Sequence, residues 1–370
     1  MKTLRHAAGE LLVVGLSGTE LTGLERAWLG IVRPGGIILF RRNIQDAEQT
    51  RGLLDAATGV CAPHAFRMVD LEGGTVDRLR DALAPMPSAQ AVFRAARAKK
   101  KPAWMREHGE LAARAVRAFG FNTTLAPVLD LALDVSAKVM ATRPVSASPV
   151  DVAEYGRQFL LGLRSQRVVG CGKHFPGLGG GTLDSHLDTP SIARGMREMT
   201  NDDLYPYAEL RNELPMVMLN HAAYPQTPGG ATPASVSPFW IKTVLRKRMG
   251  YEGLALSDDL EMGGILKFME IEDAAIAAMR AGSDILEICH STEMILRAYE
   301  ALVREAERSA SFATLIMGRA RLVSRQRARL VGGELPAVVT AKQLESLRTR
   351  VLRFGEMIAA AQPAIEASEA

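Results

Sequence analysis

The chain alternates short apolar runs with longer stretches of helical periodicity along most of its length. Eight of the apolar runs are short and continuous, as expected of parallel strands buried on both faces. They are Leu11–Gly15, Gly36–Phe40, Phe66–Leu71, Asn122–Leu131, Val168–Phe175, Met216–Asn220, Gly253–Asp258 and Asp284–Cys289. This pattern predicts an α/β protein, a (β/α)8 barrel of the TIM type.

Helical stretches separate these runs, for example Val152–Ser165, Pro238–Met249 and the alanine-rich Glu272–Ala281. A doubly wound open sheet is the main alternative fold. It requires a glycine-rich phosphate turn after the first strand, and Leu-Ser-Gly-Thr at 16–19 is not such a turn. The barrel is therefore favoured.

The C-terminal part carries a separate helical signal. Thr340-Ala341-Lys342-Gln343 matches a capping box, and Leu344, Leu347 and Val351 follow at helical spacing. We expect one barrel over residues 1–335 and a C-terminal helical extension over 336–370 that packs on the barrel instead of forming a second domain.

Composition narrows the picture without giving the chemistry. The 370 residues are 47% hydrophobic and 23% charged, and 45 cationic residues nearly balance 41 anionic ones. A net charge of +4 without a clustered basic face argues against a nucleic-acid partner. The three cysteines are too few for a disulfide framework or a zinc site. No cleavage pattern or membrane-length apolar run is found, so we expect a cytoplasmic monomer without membrane insertion.

Polar side chains cluster where five of the predicted strands end. In a barrel, the carboxyl ends of the strands meet at one rim, where active sites are built. Charged groups buried there are costly unless they are paired or used. The clusters are Asp70 with Glu72, Asp130, Lys173 with His174, Asn220 with His221, and Asp258 with Asp259.

The densest of these segments runs from Lys173 to His186 through a glycine-rich loop. A loop rich in glycine suits movement or close approach to a ligand. The loop ends in Asp184-Ser185-His186, where the carboxylate can orient the imidazole and raise its basicity. Spacing alone leaves two interpretations open, a histidine tied down for stability and a histidine that carries a proton. No Gly-Lys-Ser/Thr follows for phosphate, and no His-x-x-x-His pattern follows for a metal.

Two further segments bring acids to strand ends. In Ser257-Asp258-Asp259-Leu260-Glu261, three acids fall within four residues, and a carboxylate held rigidly at a strand end suits a nucleophile. A metal-binding cluster is the alternative, and Asp259 is a candidate helix cap. In Asp70-Leu71-Glu72-Gly73-Gly74-Thr75-Val76-Asp77-Arg78, acids and an arginine suit the binding of sugar hydroxyls.

Taken together, these motifs resemble glycoside hydrolase family 3, and most of all its single-domain β-N-acetylglucosaminidases, the cytoplasmic enzymes of peptidoglycan recycling. The resemblance runs from Gly35 to about Asp284 and includes the order Lys-His-Phe-Pro-Gly, Asp-Ser-His and Ser-Asp-Asp-Leu. Three departures are visible. The context of Arg143 is altered, with Pro144 following it. Leu-Gly-Gly-Gly at 178–181 replaces the family's usual His-Gly-Asp-Thr, and Thr75 stands where the family often has arginine.

The resemblance implies a role for each matching residue. It makes Asp258 the nucleophile and His186 the acid/base with Asp184 as its partner, without a metal or cofactor. The sugar ligands that it implies are Asp70, Arg78, Arg143, Lys173 and His174.

The activity implied is retaining exo-β-N-acetylglucosaminidase, with GlcNAc-anhydroMurNAc muropeptides as substrates. Three alternatives remain: a β-glucosidase or β-xylosidase of the same family, a non-catalytic sugar-binding barrel, and a metal-dependent barrel hydrolase.

Overall fold

The structure, a computed structural model, describes residues 3–181, 190–333 and 337–362. Eight parallel strands close into a barrel, with neighbours in the order β1-β10-β9-β8-β7-β6-β3-β2. A two-stranded antiparallel hairpin, β4 and β5, follows the third barrel strand. The strands are β1 Leu12–Gly15, β2 Gly36–Leu39, β3 Phe66–Val69, β4 Leu71–Gly73, β5 Val76–Asp77, β6 Thr123–Thr124, β7 Val169–Phe175, β8 Met216–Leu219, β9 Leu254–Asp259 and β10 Ile285–Ile288.

Helices surround the barrel, as the alternating pattern predicts. They are α1 Leu4–Gly9, α2 Gly23–Val32, α3 Ala47–Thr58, α4 Ala89–Ala98, α5 Ala103–Ala118, α6 Ala137–Met140, α7 Pro149–Ser165, α8 Met196–Asn201, α9 Tyr205–Leu210, α10 Gly263–Leu266, α11 Ile271–Ala281, α12 Thr292–Arg308, α13 Ala310–Val331 and α14 Ala341–Ala360. A π-helix covers Phe239–Arg248, and short 3-10 turns cover Arg41–Asn43, Asp134–Ser136 and Ala234–Val236.

The barrel confirms the predicted fold class, and each of the eight predicted strands overlaps one observed barrel strand. The fourth was predicted too long, over Asn122–Leu131, whereas β6 covers only Thr123–Thr124. Pro127 has no N–H to donate to a ladder, so regular pairing cannot continue through it. The chain beyond stays extended beside β7, where Leu129 N donates to Lys173 O at 2.7 Å.

The C-terminal signal also appears as a helix. Thr340 and Gln343 form the expected capping box at the start of α14. Leu347, Val351, Phe354 and Ile358 are buried, spaced three or four residues apart on one face. The Phe354 ring stacks on His108 of α5 with centroids 6.2 Å apart. The division into a barrel over 1–335 and an extension over 336–370 stays a prediction.

The β4–β5 hairpin was not predicted, and it shapes the rim. Gly73 and Gly74 turn the chain with φ angles of 87° and 62°, a backbone region that residues other than glycine rarely adopt. The turn places Leu71 opposite Asp77 and leaves Glu72 buried.

Among the described residues, no helix is both long and apolar enough to cross a bilayer.

Candidate active site

A cavity of about 400 Å³ opens at the carboxyl ends of the barrel strands. Its volume lies within the range of small-molecule sites, roughly 300–1,000 Å³. The charged side chains and histidines that line it come from β7, β9 and β10 and from the segments that follow β3, β5, α6 and β10. The lining residues are Ile38, Phe40, Asp70, Val76, Arg78, Leu125, Val139, Met140, Arg143, Lys173, His174, Leu178, Gly181, Met218, Asp258, Asp259, Met262, Glu287, Cys289 and His290.

One side of the cavity is an ionic network, formed by Asp70, Glu72, Arg143 and Lys173. The Lys173 Nζ lies 2.8 Å from Asp70 Oδ1 and 2.7 Å from Glu72 Oε1. The Arg143 guanidinium donates two hydrogen bonds to the Glu72 carboxylate, at 2.8 and 2.9 Å. Charge-assisted contacts of this kind fix both partners, since planar guanidinium and carboxylate groups match in two places.

Burial is nearly complete in this network, and its pKa values show which effect dominates. Burial by itself would raise the pKa of Glu72, but the charges of Arg143 and Lys173 outweigh it and hold that pKa well below its usual range. In the same way, Asp70 and Glu72 keep the pKa of Lys173 raised despite its burial. All of these groups are therefore ionised near neutral pH.

His174 connects the network to Asp130, in the segment that follows β6. Its Nδ1 lies 2.7 Å from Asp130 Oδ2, and its Nε2 lies 3.2 Å from Arg143 Nη2. An arginine nitrogen can only donate, so Nε2 accepts and the ring proton lies on Nδ1, where Asp130 accepts it. Asp130 also accepts the backbone N–H of Leu178, at 2.7 Å. His174 thus orients Arg143, while Asp130 holds the histidine and the start of the glycine-rich loop.

The opposite side of the cavity, which we call the acid side, consists of Asp258, Asp259 and Glu287. Asp258 lies at the end of β9, half-buried, and its Oδ1 accepts the backbone N–H of Asp259 at 2.9 Å. Burial raises the pKa of Asp259 to about 7. The basic side chain that contacts Asp259 is His290, whose Nε2 lies 3.4 Å from Asp259 Oδ2.

Asp259 does not cap a helix, contrary to the interpretation offered above. The next helix, α10, begins at Gly263 after Met262, which makes no side-chain cap. The Asp259 Oδ1 instead accepts the backbone N–H groups of Glu261 and Cys289, at 3.0 and 3.2 Å. It therefore joins the ends of β9 and β10.

The structure brings six of the eight predicted site residues around this one cavity. Asp258 lies on the acid side, while Arg143, Lys173 and Asp70 belong to the network. Arg78 contacts Asp70 Oδ2 at 3.5 Å, and its guanidinium lies over the Phe40 ring at 5.6 Å. The sixth is His174.

The remaining two predicted residues, Asp184 and His186, lie outside the described residues. The described start of their loop is held in place beside the cavity. Leu178 is bonded to Asp130, and Gly181 lines the cavity.

Glu72 and Glu287 were missing from the predicted ligands. Glu72 had a visible signal, because it belongs to the same polar cluster as Asp70. Glu287 also had one, as a single acid within the apolar run Asp284–Cys289. In a parallel barrel, such an acid must face the interior or a helix, and both places are costly for a charge.

Metal binding finds no support in the described geometry. Within residues 3–181, 190–333 and 337–362, no group of three or more histidine, cysteine, aspartate or glutamate side chains is arranged to hold an ion. The Lys173 Nζ occupies the position that a cation would take between Asp70 and Glu72.

Sequence comparison gives the family to which the chain belongs. Residues 3–324 match the glycosyl hydrolase family 3 N-terminal domain. The chain belongs to this family. A beta-hexosaminidase of Alkalilimnicola ehrlichii is 37% identical over 289 residues, which cover 77% of this chain and 82% of the relative. Another, from Pseudomonas aeruginosa, is 35% identical over 295 residues, covering 79% and 86%. As a family 3 member, the chain is a glycoside hydrolase.

Solved structures of the family share the fold. A beta-N-acetylglucosaminidase from Paenibacillus superposes with a TM-score of 0.85 at 27% identity, covering 96% of this chain and 69% of that one. NagZ from Neisseria gonorrhoeae, in complex with N-trifluoroacetyl-D-glucosamine, gives a TM-score of 0.74 at 27% identity and covers 95% of this chain and 98% of its own.

Proposed function

We propose that the protein is a retaining exo-β-N-acetylglucosaminidase that removes terminal GlcNAc from GlcNAc-anhydroMurNAc muropeptides. One observation carries the proposal: Asp258 stands at a strand end in the same cavity as a fixed network of charged hydrogen-bonding groups. The relatives named beta-hexosaminidase, and the NagZ complex with a glucosamine derivative, support this sugar class. The muropeptide substrate and a role in peptidoglycan recycling rest on the family resemblance.

The network is suited to hold the sugar. Lys173 has three N–H groups, and Asp70 and Glu72 take two of them, which leaves one without a partner among the described residues. The buried Arg78 Nε is also without a hydrogen-bond partner there. Sugar hydroxyls accept from such donors, while the Asp70 carboxylate accepts from hydroxyls. Arg143 and His174 complete the proposed ligand set, with His174 acting through the guanidinium it orients.

The reaction follows from a nucleophile on one face of the sugar and a proton donor on the other. An Asp258 oxygen attacks the anomeric carbon, and the bond from that carbon to the leaving oxygen breaks. His186, oriented by Asp184, protonates the leaving oxygen. Water then attacks the glycosyl-enzyme, gives its proton to His186 and releases the sugar with its anomeric configuration retained.

A fluorinated sugar that slows the second step tests the nucleophile. We expect wild-type protein to gain one covalent glycosyl group on the peptide containing Asp258, identified by fragmentation mass spectrometry. Asp258→Asn should not be labelled, and its turnover should fall by about 10⁴-fold. Asp259→Asn is the matched control, because it should still be labelled at Asp258. Labelling of Asp259 would contradict the assignment.

Leaving-group dependence tests His186. His186→Ala should slow substrates with poor leaving groups far more than aryl glycosides, whose leaving oxygen needs little protonation. Equal losses for both classes would contradict the assignment of the acid.

Comparison of nitrophenyl N-acetyl-β-glucosaminide with the β-glucoside tests the sugar class. Preference for the glucoside would instead favour the β-glucosidase alternative.

A further inference from the structure

Glu287 is a carboxyl group in the cavity that the proposed reaction does not use. It lies on β10 between Leu286 and Ile288, lines the cavity and is only 2% exposed. Its Oε1 has one weak contact, with the Cys289 Sγ at 3.5 Å. Its Oε2 is buried and has no hydrogen-bond partner among the residues that the structure describes.

The groups that face Glu287 come from three other barrel strands, which places its carboxyl inside the barrel. They are Asp70 after β3, Cys171 and Lys173 on β7, and Asp258 and Asp259 on β9, together with Cys289 on its own strand. Lys173 is the cation in this set, and it already contacts Asp70 at 2.8 Å and Glu72 at 2.7 Å.

The surroundings of Glu287 favour its neutral form. Burial, together with the nearby carboxyl groups of Asp70, Asp259 and Asp258, raises its pKa well above the usual value. A neutral carboxyl group carries one O–H donor and one acceptor oxygen. A buried donor without a partner costs free energy, so such a group is poised for a ligand that can both donate and accept.

A sugar hydroxyl matches this requirement. An alcohol donates one hydrogen bond and accepts two, so it can exchange a pair of bonds with a carboxylic acid. An anionic group would instead meet the carboxylates of Asp70 and Asp258. The same principle of a carboxylic acid kept neutral in order to donate is known from other enzymes.

We propose that Glu287 is a further substrate-binding residue, a carboxylic acid on the acid side that exchanges a pair of hydrogen bonds with one hydroxyl of the bound sugar. This inference rests on the proposed function, because it requires a sugar in the cavity.

Two variants and a packing control test it by calorimetric binding of N-acetylglucosamine. Glu287→Leu removes both hydrogen-bonding atoms at similar volume, and we expect its Kd to rise about 10-fold. Glu287→Gln keeps one donor and one acceptor without charge, and its Kd should rise less than about 3-fold. Met218→Leu changes the shape of the same cavity without altering a polar group.

A set of deoxy sugars separates a contact from a packing effect. Each deoxy sugar lacks one hydroxyl, and each is measured with wild-type protein, Glu287→Leu and Met218→Leu. For the hydroxyl that contacts Glu287, the losses from the deoxy sugar and from Glu287→Leu should not add, because both remove the same pair of bonds. With Met218→Leu, the losses should add for every sugar.

Additive losses for all deoxy sugars with Glu287→Leu, or unchanged binding by this variant, would overturn the proposal. A wild-type protein that binds N-acetylglucosamine but does not hydrolyse its glycosides would contradict the proposed function and leave the binding cycle decisive for Glu287. Failure of wild-type protein to bind any of these sugars would overturn both.

Discussion

The two sides of the cavity hold similar acids in opposite electrostatic states. In the ionic network, Lys173 contacts both Asp70 and Glu72, and Arg143 contacts Glu72, at distances of 2.7–2.9 Å. On the acid side, burial dominates and raises the pKa of Asp259 to about 7 and that of Glu287 well above its usual value. Burial is common to both sides, so the difference comes from the placement of cations.

This contrast indicates a division of tasks. Paired carboxylates stay charged and keep their positions, which suits the orientation of a sugar. On the acid side, Asp259 has a pKa of about 7 and can gain or lose a proton near neutral pH, and perturbed groups of this kind cluster at sites of chemistry. Asp258, the proposed nucleophile, lines the cavity on this same side.

The largest loss of stability should follow from removing Lys173, the lysine of the ionic network. Lys173→Met leaves Asp70 and Glu72 buried with less charge compensation, so the free energy of unfolding should fall by about 3–5 kcal/mol. Urea unfolding at pH 7 measures this change. Lys342→Met, at an exposed position at the start of α14, is the control and should change stability by less than about 0.5 kcal/mol.

A Lys173→Met protein as stable as wild type would break the comparison. It would mean that the two carboxylates tolerate burial without Lys173, as the acids of the other side do.

The sequence was a good guide to this cavity at the level of strands. Asp70, Lys173 and Asp258 follow or lie in predicted strands, and barrel geometry brings the carboxyl ends of parallel strands together. The apolar runs also predicted the barrel itself, because buried parallel strands need continuous hydrophobic residues.

The sequence could not predict which side chains of the cavity contact one another. Lys173 contacts residues about 100 positions earlier in the chain, and nothing local specifies which acids it meets. The β4–β5 hairpin decides this by turning Glu72 inward through Gly73 and Gly74. Glu287 was overlooked because its strand satisfies the apolar pattern on either side of it.

A smaller effect on the free energy of unfolding, one that depends on pH, should come from Glu287 on the acid side. The pKa of Glu287 is higher in the folded protein than in the unfolded chain, so folding favours its protonated form. The stability that this proton contributes is fully present below about pH 4.3 and is lost as pH rises towards the raised pKa. Glu287→Gln cannot ionise and avoids this loss. Its stability relative to wild type should therefore increase from pH 5 to pH 8, by up to about 1.4 kcal/mol for each pH unit below the raised pKa.

Urea unfolding across this pH range measures the difference between the two proteins. Glu345→Gln, at an exposed position in α14, serves as the control and should parallel wild type at each pH. A difference that stays constant from pH 5 to pH 8 would show that Glu287 does not bind its proton more tightly on folding.

The smallest expected effect decides whether Glu287 is neutral in the native protein. Cys289 Sγ is the one described donor to its carboxyl, at 3.5 Å, and burial raises the pKa of the thiol, which therefore keeps its proton. If Glu287 is a neutral acid, Cys289→Ala removes only a weak bond and a small volume, and stability should fall by about 1 kcal/mol at pH 6.

Cys171→Ala is the matched control. It removes a buried thiol inside the same barrel and should cost about the same free energy of unfolding. An ionised Glu287 would lose a charge-assisted bond instead, and the Cys289 variant would then be less stable than the Cys171 variant by about 1.5–3 kcal/mol. If the two cysteine variants lose the same free energy of unfolding, Glu287 is neutral in the native protein. The acid side would then differ from the ionic network because Glu287 carries no charge, and not because a charged Glu287 is paired with a weak donor.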